Sequence, residues 1–249
     1  MAQAKIRLDQ LLVEKGLTHS RQRAKALIMA GQVRVDDLTR DKPGTLVSTL
    51  AKIDLTGQDM PYVSRGGLKL AKALDHFAIS PQGWVCMDIG ASTGGFTDCL
   101  LKSGAVRVIA VDVGYGQLAW TLRQDPRVVV MERTNIRHLP VDAVSEPMDL
   151  VTIDVSFISL KIVVPAALGF VKPGGVILAL IKPQFEVGRD KVGKGGVVRD
   201  PTLHDAVIED LSRFFDDHGL RCRGVVASPI LGPKGNREFI IALGWDQGL

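Results

Sequence analysis

Thiols are scarce: among 249 residues only Cys86, Cys99 and Cys222 carry one. An odd number with no C-x-x-C pair provides neither a disulfide framework nor a four-ligand zinc site, and fits a reducing compartment. Long apolar runs are missing as well. The stretch Val176 to Ile181, closed off by Gly175 and Lys182, is far shorter than the ~20 residues that span a bilayer, so no transmembrane helix is expected. The opening residues MAQAKIRLDQLL have no continuous apolar core and no small-residue cleavage site, so no secretory signal is expected and the cytoplasm is the expected location. No internal repeat or low-complexity tract is visible, which excludes solenoids and arrays. Nor is one sign of charge in large excess. With 31 Lys and Arg against 27 Asp and Glu, the net charge is +4, which permits a nucleic-acid partner without requiring one.

What is present suits a packed globular chain, with 46% hydrophobic and 23% charged residues. Leu8, Leu11 and Leu12 have helical spacing, which predicts a helix over 6–16 ended by Gly16. A second helix is expected from Ser20, a good N-cap, through Ile28 to a stop at Gly31. Its inner arc is Ala24, Leu27 and Ile28, with Arg21 and Lys25 on a neighbouring face. Gln32 to Asp36 alternates as a strand. Such a unit is either a small cap with a solvated basic face or a surface for a phosphate backbone. Pro43, Gly44 and Gly57 mark loops leading to a boundary near residue 60.

Beyond that boundary, apolar runs alternate with helical stretches: Val85 to Ile89, Val106 to Val111, Val128 to Met131, Leu150 to Ile153 and Val176 to Ile181. The fold class is therefore α/β, a mostly parallel sheet wrapped by helices. Arg223 to Ala227 and Glu238 to Leu243 are further strands, the second expected as an antiparallel edge.

The first long-domain strand runs into Asp88, Ile89, Gly90, Ala91, Ser92, Thr93, Gly94, Gly95 and Phe96, a glycine-rich turn opening a helix. Glycines let a backbone approach a ligand closely, and ligands of open α/β sheets gather at strand carboxyl ends. The dinucleotide fingerprint G-x-G-x-x-G is absent, because Ser92 stands where its second glycine belongs. Asp112 ends the next strand, where a carboxylate can accept both hydroxyls of an adenosine ribose. Loop and acid together suggest S-adenosylmethionine, with Asn135 as an adenine contact; the alternative is a tight structural turn with an incidental acid. Charged residues also end two later apolar strands, Asp154 and Lys182. With Lys69 in S-R-G-G-L-K-L and Glu238 in G-N-R-E-F-I, they form a Lys, Asp, Lys, Glu series.

The run R-L-D-Q-L-L from Arg7, S-R-Q-R-A-K-A-L-I from Ser20 and G-Q-V-R-V-D from Gly31 resembles the small RNA-binding domain named after ribosomal small-subunit protein four. The glycine loop and the series of Lys69, Asp154, Lys182 and Glu238 resemble the FtsJ-type ribose methyltransferases. With its appended first domain, the whole chain is similar to the TlyA (haemolysin A) family of rRNA 2′-O-methyltransferases.

That resemblance implies a Rossmann-like S-adenosylmethionine-dependent methyltransferase fold over 61–249 and a small α+β RNA-binding domain over 1–60. It implies catalysis by the four charged residues, no metal, and ribosomal RNA or ribosomal subunits as partner, with cytidines as targets. FtsJ-like enzymes usually carry an acid at the third cofactor contact, where this chain has Asn135. A ribose 2′-hydroxyl is a poor nucleophile and needs a base or cation as the methyl approaches. Lys182 is the candidate, with Asp154 to orient it and Glu238 to position a lysine or the ribose. Phosphate contacts are expected from Arg7, Arg21, Arg23, Lys25, Arg65 and Lys191, the last in a mobile basic loop with Arg189, Lys194 and Arg199. Two other classes compete. A non-catalytic RNA-binding module should have lost part of the charged series, and a membrane-active protein should show a long amphipathic or apolar segment.

Overall fold

The computed structural model describes residues 5–18, 20–29, 31–55, 60–188, 191–193 and 195–246. The chain divides into two compact units, Met1–Asp59 and Met60–Leu249. In the first, strand β1 (Lys5–Arg7) leads directly into helix α1 (Leu8–Glu14). Then follow α2 (Arg21–Met29), β2 (Val33–Val35), β3 (Leu38–Thr39), β4 (Leu46–Ser48) and β5 (Ile53–Leu55). The helix expected from residue 6 thus starts later, because Lys5, Ile6 and Arg7 pair with Ser48, Val47 and Leu46. That ladder satisfies backbone groups which a helix N-terminus would leave open. Leu8, Leu11 and Leu12 meet Ala24, Ile28, Val33 and Val35 in one core. Ser20 Oγ accepts from Arg23 N at 3.2 Å and caps α2, and Gly31, at φ 69°, follows its end.

Asp9 sits in α1 with no exposed surface, and a buried carboxylate requires partners. Arg7 Nε and Arg21 Nη2 each stand 3.0 Å from it. The two guanidinium groups, Arg7 foremost, hold the Asp9 carboxyl below its ordinary value. Two of the arginines expected at RNA phosphates are therefore already tied to an acid, whereas Arg23 and Lys25 form no ion pair among the described residues.

The second unit contains α3 (Gly66–His76), β6 (Val85–Ile89), α4 (Gly95–Lys102), β7 (Arg107–Val111), α5 (Trp120–Arg123), β8 (Val128–Met131) and β9 (Met148–Ile153). It continues with α6 (Leu160–Ala167), β10 (Val171–Ile181), α7 (Pro183–Glu186), α8 (Pro201–Asp217), β11 (Leu220–Ala227) and β12 (Phe239–Trp245). Seven strands form one sheet in the order β11-β12-β10-β9-β6-β7-β8. β10, β9, β6, β7 and β8 run parallel, and β12 runs antiparallel to both neighbours. The edge is β11, not β12 as the sequence suggested. Ile240 to Leu243 are buried on both faces, which suits an interior strand, whereas in β11 only Leu220 is buried and the other positions are half-buried or exposed.

Successive residues of each strand serve opposite cores, as the two-residue period dictates. Met87, Ile89, Val151, Ile153, Ile177 and Ile241 pack with α6 and α8, through Val163, Leu211 and Phe215. Cys86, Val108, Leu150, Leu178 and Ile240 pack with α3 and α4, through Leu70, Ala73 and Leu100. After β6 the chain builds outward through β7 and β8, then returns to place β9 on the other side of β6. The carboxyl ends of β6 and β9 thus form a topological switch point, where a crevice opens.

Phe215 is wholly buried and Phe157 is 89% exposed, so the two phenylalanines separate packing from surface. Phe215→Ala is expected to cost about 3 to 5 kcal/mol in denaturant unfolding, and Phe157→Ala at most about 1.5 kcal/mol, the worth of its one ring contact with Phe185. Equal losses would contradict this assignment of the core.

Candidate active site

β6 ends at Gly90, whose φ is 85°. A Cβ there would stand 2.4 Å from the carbonyl oxygen of Asp154, so only glycine lets the ends of β6 and β9 come this close. The chain then turns through Ala91, Ser92 and Thr93 to Gly94, at φ 93° directly before α4. The turn is held from both sides. Asp112, at the end of β7, accepts from Ser92 N on one carboxylate oxygen and from Gly114 N on the other, both at 2.7 Å. Asp88, with no exposed surface, accepts from Thr97 N at 2.9 Å, Thr97 Oγ1 at 2.7 Å and Thr152 Oγ1 at 3.2 Å. It thereby clasps β6 to the first turn of α4 and to β9. Burial pushes its carboxyl up to about 7, against the pull of those hydrogen bonds.

Beside this turn lies an open pocket of about 470 Å³ that also receives the four charged side chains. Lys182, following β10, places Nζ 2.6 Å from Asp154 Oδ1 and donates to Ser156 Oγ at 3.0 Å. Lys69, on the first turn of α3, lies 4.0 Å from Asp154 Oδ2 and 2.6 Å from Glu238 Oε2. The order in space is Glu238, Lys69, Asp154, Lys182, alternating in sign, and Asp154 stands between the two ammonium groups. Glu238 is 2% exposed, and its close approach to Lys69 is an ion contact without hydrogen-bond alignment. Both its oxygens are sealed with no hydrogen-bond partner among the described residues. Gly232 makes room for it: a Cβ there would lie 2.0 Å from Glu238 Oε1, although φ −73° suits any residue.

Gly90, Ala91, Ser92, Thr93, Gly95 and Phe96 line this pocket together with Lys69, Asp154, Lys182 and Glu238. Other expected cofactor residues lie elsewhere. Asp88 is beneath the turn, and the space a side chain at Gly94 would take is filled by Leu118 and Leu122. Asp112 borders a cleft of about 10 Å³ on the other side of Ala91 and Ser92. Asn135 Oδ1 accepts from Arg137 N at 3.1 Å and caps the short turn Ile136–His138. Arg65 lines the pocket and donates to Leu231 O at 3.2 Å. Lys191 is exposed and does not line the pocket, and Arg189 and Lys194 lie outside the described residues.

Sequence reasoning missed Ser156, the wall residues Ile230 to Lys234, and the spatial need for Gly232. A serine after a strand and glycines in a G-P-K-G-N loop carry no signal of their own. Among the described residues no group of three His, Cys, Asp or Glu side chains could hold a metal ion, and no helix is long and apolar enough to cross a membrane.

Residues 62–245 match the FtsJ-like methyltransferase family, and residues 6–49 match the S4 domain. The chain is 51% identical over 238 residues to the 16S/23S rRNA (cytidine-2'-O)-methyltransferase TlyA of Mycobacterium tuberculosis, covering 95% of this chain and 89% of that one. A solved Streptococcus thermophilus chain bearing a hemolysin name is 44% identical, with a TM-score of 0.78 and coverage of 99% and 90%. A Listeria monocytogenes chain named for S-adenosylmethionine-dependent methyl transfer shares the fold alone. It is 13% identical, with a TM-score of 0.55 and coverage of 74% and 99%.

The Asp88 clasp has a pH signature. Its carboxyl moves from the ordinary 3.8 to about 7 in the folded protein. Below about 4 both folded and unfolded chains hold the proton, and between about 4 and 7 only the folded one does, so stability falls as pH rises across that window. Asp88→Asn is expected to remove this component, at most about 1.4 kcal/mol per pH unit. Urea unfolding of both proteins from pH 4 to 8 measures it, and parallel pH profiles would refute it.

Proposed function

The chain belongs to the FtsJ-like methyltransferase family, and from that premise we propose that it methylates the ribose 2′-hydroxyl of cytidines in ribosomal RNA, using S-adenosylmethionine. One observation carries this reading. The chain of Glu238, Lys69, Asp154 and Lys182 and the Gly90 turn face a single pocket, so a methyl donor and a hydroxyl can meet there. The substrate class follows the M. tuberculosis relative and its printed activity, and the match of residues 6–49 to the S4 domain supports an RNA partner. A ribosomal RNA substrate supports the cytoplasm as the place of the reaction.

The residues fit the cofactor. Glycine at 90 opens the backbone, Asp112 ends the neighbouring strand, and the pocket volume is in the range of small-molecule sites. Gly90 to Thr93, Gly95 and Phe96 would hold the donor in the pocket, while Asp112, in the cleft behind Ala91 and Ser92, would reach the ribose with its remaining lone pairs only if that cleft opens to the pocket. When bound, S-adenosylmethionine supplies an electrophilic sulfonium methyl.

The chain's own residues do the rest. Asp154 fixes Lys182 Nζ against the pocket, with Ser156 Oγ as its second partner. Lys182 Nζ gives one proton to solvent through the open pocket and, as the free amine, takes the proton of the ribose 2′-hydroxyl as the oxygen gains alkoxide character. Glu238 holds Lys69, which keeps a positive charge beside Asp154 and balances its burial. Holding the two reactants in attack geometry supplies much of the rate.

Lys182→Ala is expected to lower single-turnover methyl transfer to ribosomal subunits by about 10² to 10⁴-fold, with cofactor and rRNA affinity nearly unchanged because the role is realised in the transition state. Lys182→Arg is not expected to rescue transfer, since arginine keeps the charge but cannot act as a base. Robust transfer by the Arg variant would refute proton removal by Lys182.

In the first unit, Arg23→Ala with Lys25→Ala leaves the Asp9 clamp intact and isolates the phosphate interaction. The salt dependence of rRNA binding is expected to flatten by about 0.7 to 0.9 in slope for each phosphate no longer neutralised. An unchanged slope would make this helix face a structural cap.

A further inference from the structure

Glu186 belongs to neither the charged chain nor the cofactor turn, yet it joins the two loops that carry the catalytic pair. It is the last residue of α7, the four-residue helix that begins directly after Lys182. Glu186 Oε2 accepts from Ser159 Oγ at 2.6 Å, and Oε1 accepts from Leu160 N at 2.9 Å. Both donors lie at the start of α6, at the far end of the loop that begins with Asp154. Leu160 N is one of the N–H groups that a helix start leaves without a partner inside the helix. Between these ends the loops touch twice more, through Lys182 with Asp154 and Ser156 and through the rings of Phe185 and Phe157, whose centroids are 4.9 Å apart.

Phe157 has φ 65°, a left-handed conformation that a bulky residue holds only when its surroundings enforce it. The restraint on one side is the Lys182 hydrogen bond to Ser156, and on the other the Glu186 bonds to Ser159 and Leu160. Burial pushes the Glu186 carboxyl above its ordinary value, against the pull of the Ser159 and Leu160 hydrogen bonds.

Resting on the methyl-transfer reading above, we propose that Glu186 is a positioning residue for methyl transfer: by closing the Asp154 loop onto α7 it sets the geometry of the Asp154 and Lys182 pair. Glutamine can replace it, because an amide oxygen still accepts from Leu160 N and an amide NH₂ can donate to Ser159 Oγ. Alanine cannot.

The full chain, with ribosomal subunits and labelled S-adenosylmethionine, provides the test. Glu186→Ala is expected to lower kcat by about 10- to 100-fold, with rRNA KM and cofactor Kd within about twofold of the parent, and Glu186→Gln to recover most of the loss. Ser159→Ala, which removes one of the two partners, is expected to fall between them with the same split. A parental kcat in Glu186→Ala overturns the proposal. So does a loss in which KM, Kd and thermal stability fail together without rescue by glutamine, since that marks a purely structural role. A second readout needs no turnover: reductive methylation of Lys182, followed by mass spectrometry, should run faster in Glu186→Ala and at the parental rate in Glu186→Gln. Equal labelling in all three proteins also overturns the proposal. Absence of transfer by the parent chain would instead sink the methyltransferase reading, leaving the labelling comparison to decide the role of Glu186.

Discussion

At the switch point of the large sheet, the backbone of Gly90 passes so close to Asp154 that no side chain fits between them. That approach sets the rest of the second unit. It brings the ends of β6 and β9 together, so that a glycine turn from one strand and an acid from the other open on one pocket. Every other participant is placed relative to this crossing: Lys182 from β10, next to β9, Lys69 from α3 packed over β6, and Glu238 from the start of β12. Asp88 and Thr152, two residue pairs below, lock the same two strands through a buried hydrogen bond.

The charged chain has its own internal logic. Lys69 and Lys182 are each 8% exposed, and ammonium groups with so little access to water are tolerated only when paired. Asp154 is shared by both lysines, and Glu238 completes the alternation at the closed end. Removing one member leaves a neighbour uncompensated, so effects of single substitutions in the four are not additive. The same arrangement leaves Lys182 at the end of the chain beside Ser156, with its acid partner on one side and open pocket on the other.

Much of this was legible in the sequence, and the illegible part has a physical pattern. Apolar runs ending in Asp or Lys reveal strand ends, and they located Asp154 and Lys182 because both carboxyl ends meet at one edge of the sheet. The glycine turn was equally plain, although what Gly90 and Gly94 leave room for is the Asp154 backbone and the Leu118 and Leu122 side chains. Pairing across the sheet was not. Whether β11 or β12 forms the edge depends on which one buries both faces, and the three-residue ladder of β1 with β4 is a long-range choice that helical spacing around Leu8 conceals. Nor does residue type say where a side chain's hydrogen bonds go. Asp112 and Asn135 read as ligand contacts, and nothing in the sequence hints that the first also carries two backbone N–H groups and the second also caps a turn. Glu186, whose partners lie 26 and 27 positions away, gives no local sign at all.

Gly232 shows how tolerance can mislead. Its backbone conformation is one that alanine adopts freely, so by local rules the position is permissive and a methyl group there should pass unnoticed in folding. The volume that methyl would enter already belongs to the Glu238 carboxylate. A single added carbon would therefore act at a distance, displacing Glu238 and then Lys69 while the sheet beneath stays whole. The resulting protein would keep an ordinary circular dichroism spectrum, while the disturbed ion pair would cost it both turnover and part of its stability. The residue at this loop position is set by the room that a buried anion needs, a requirement that no inspection of backbone angles would disclose.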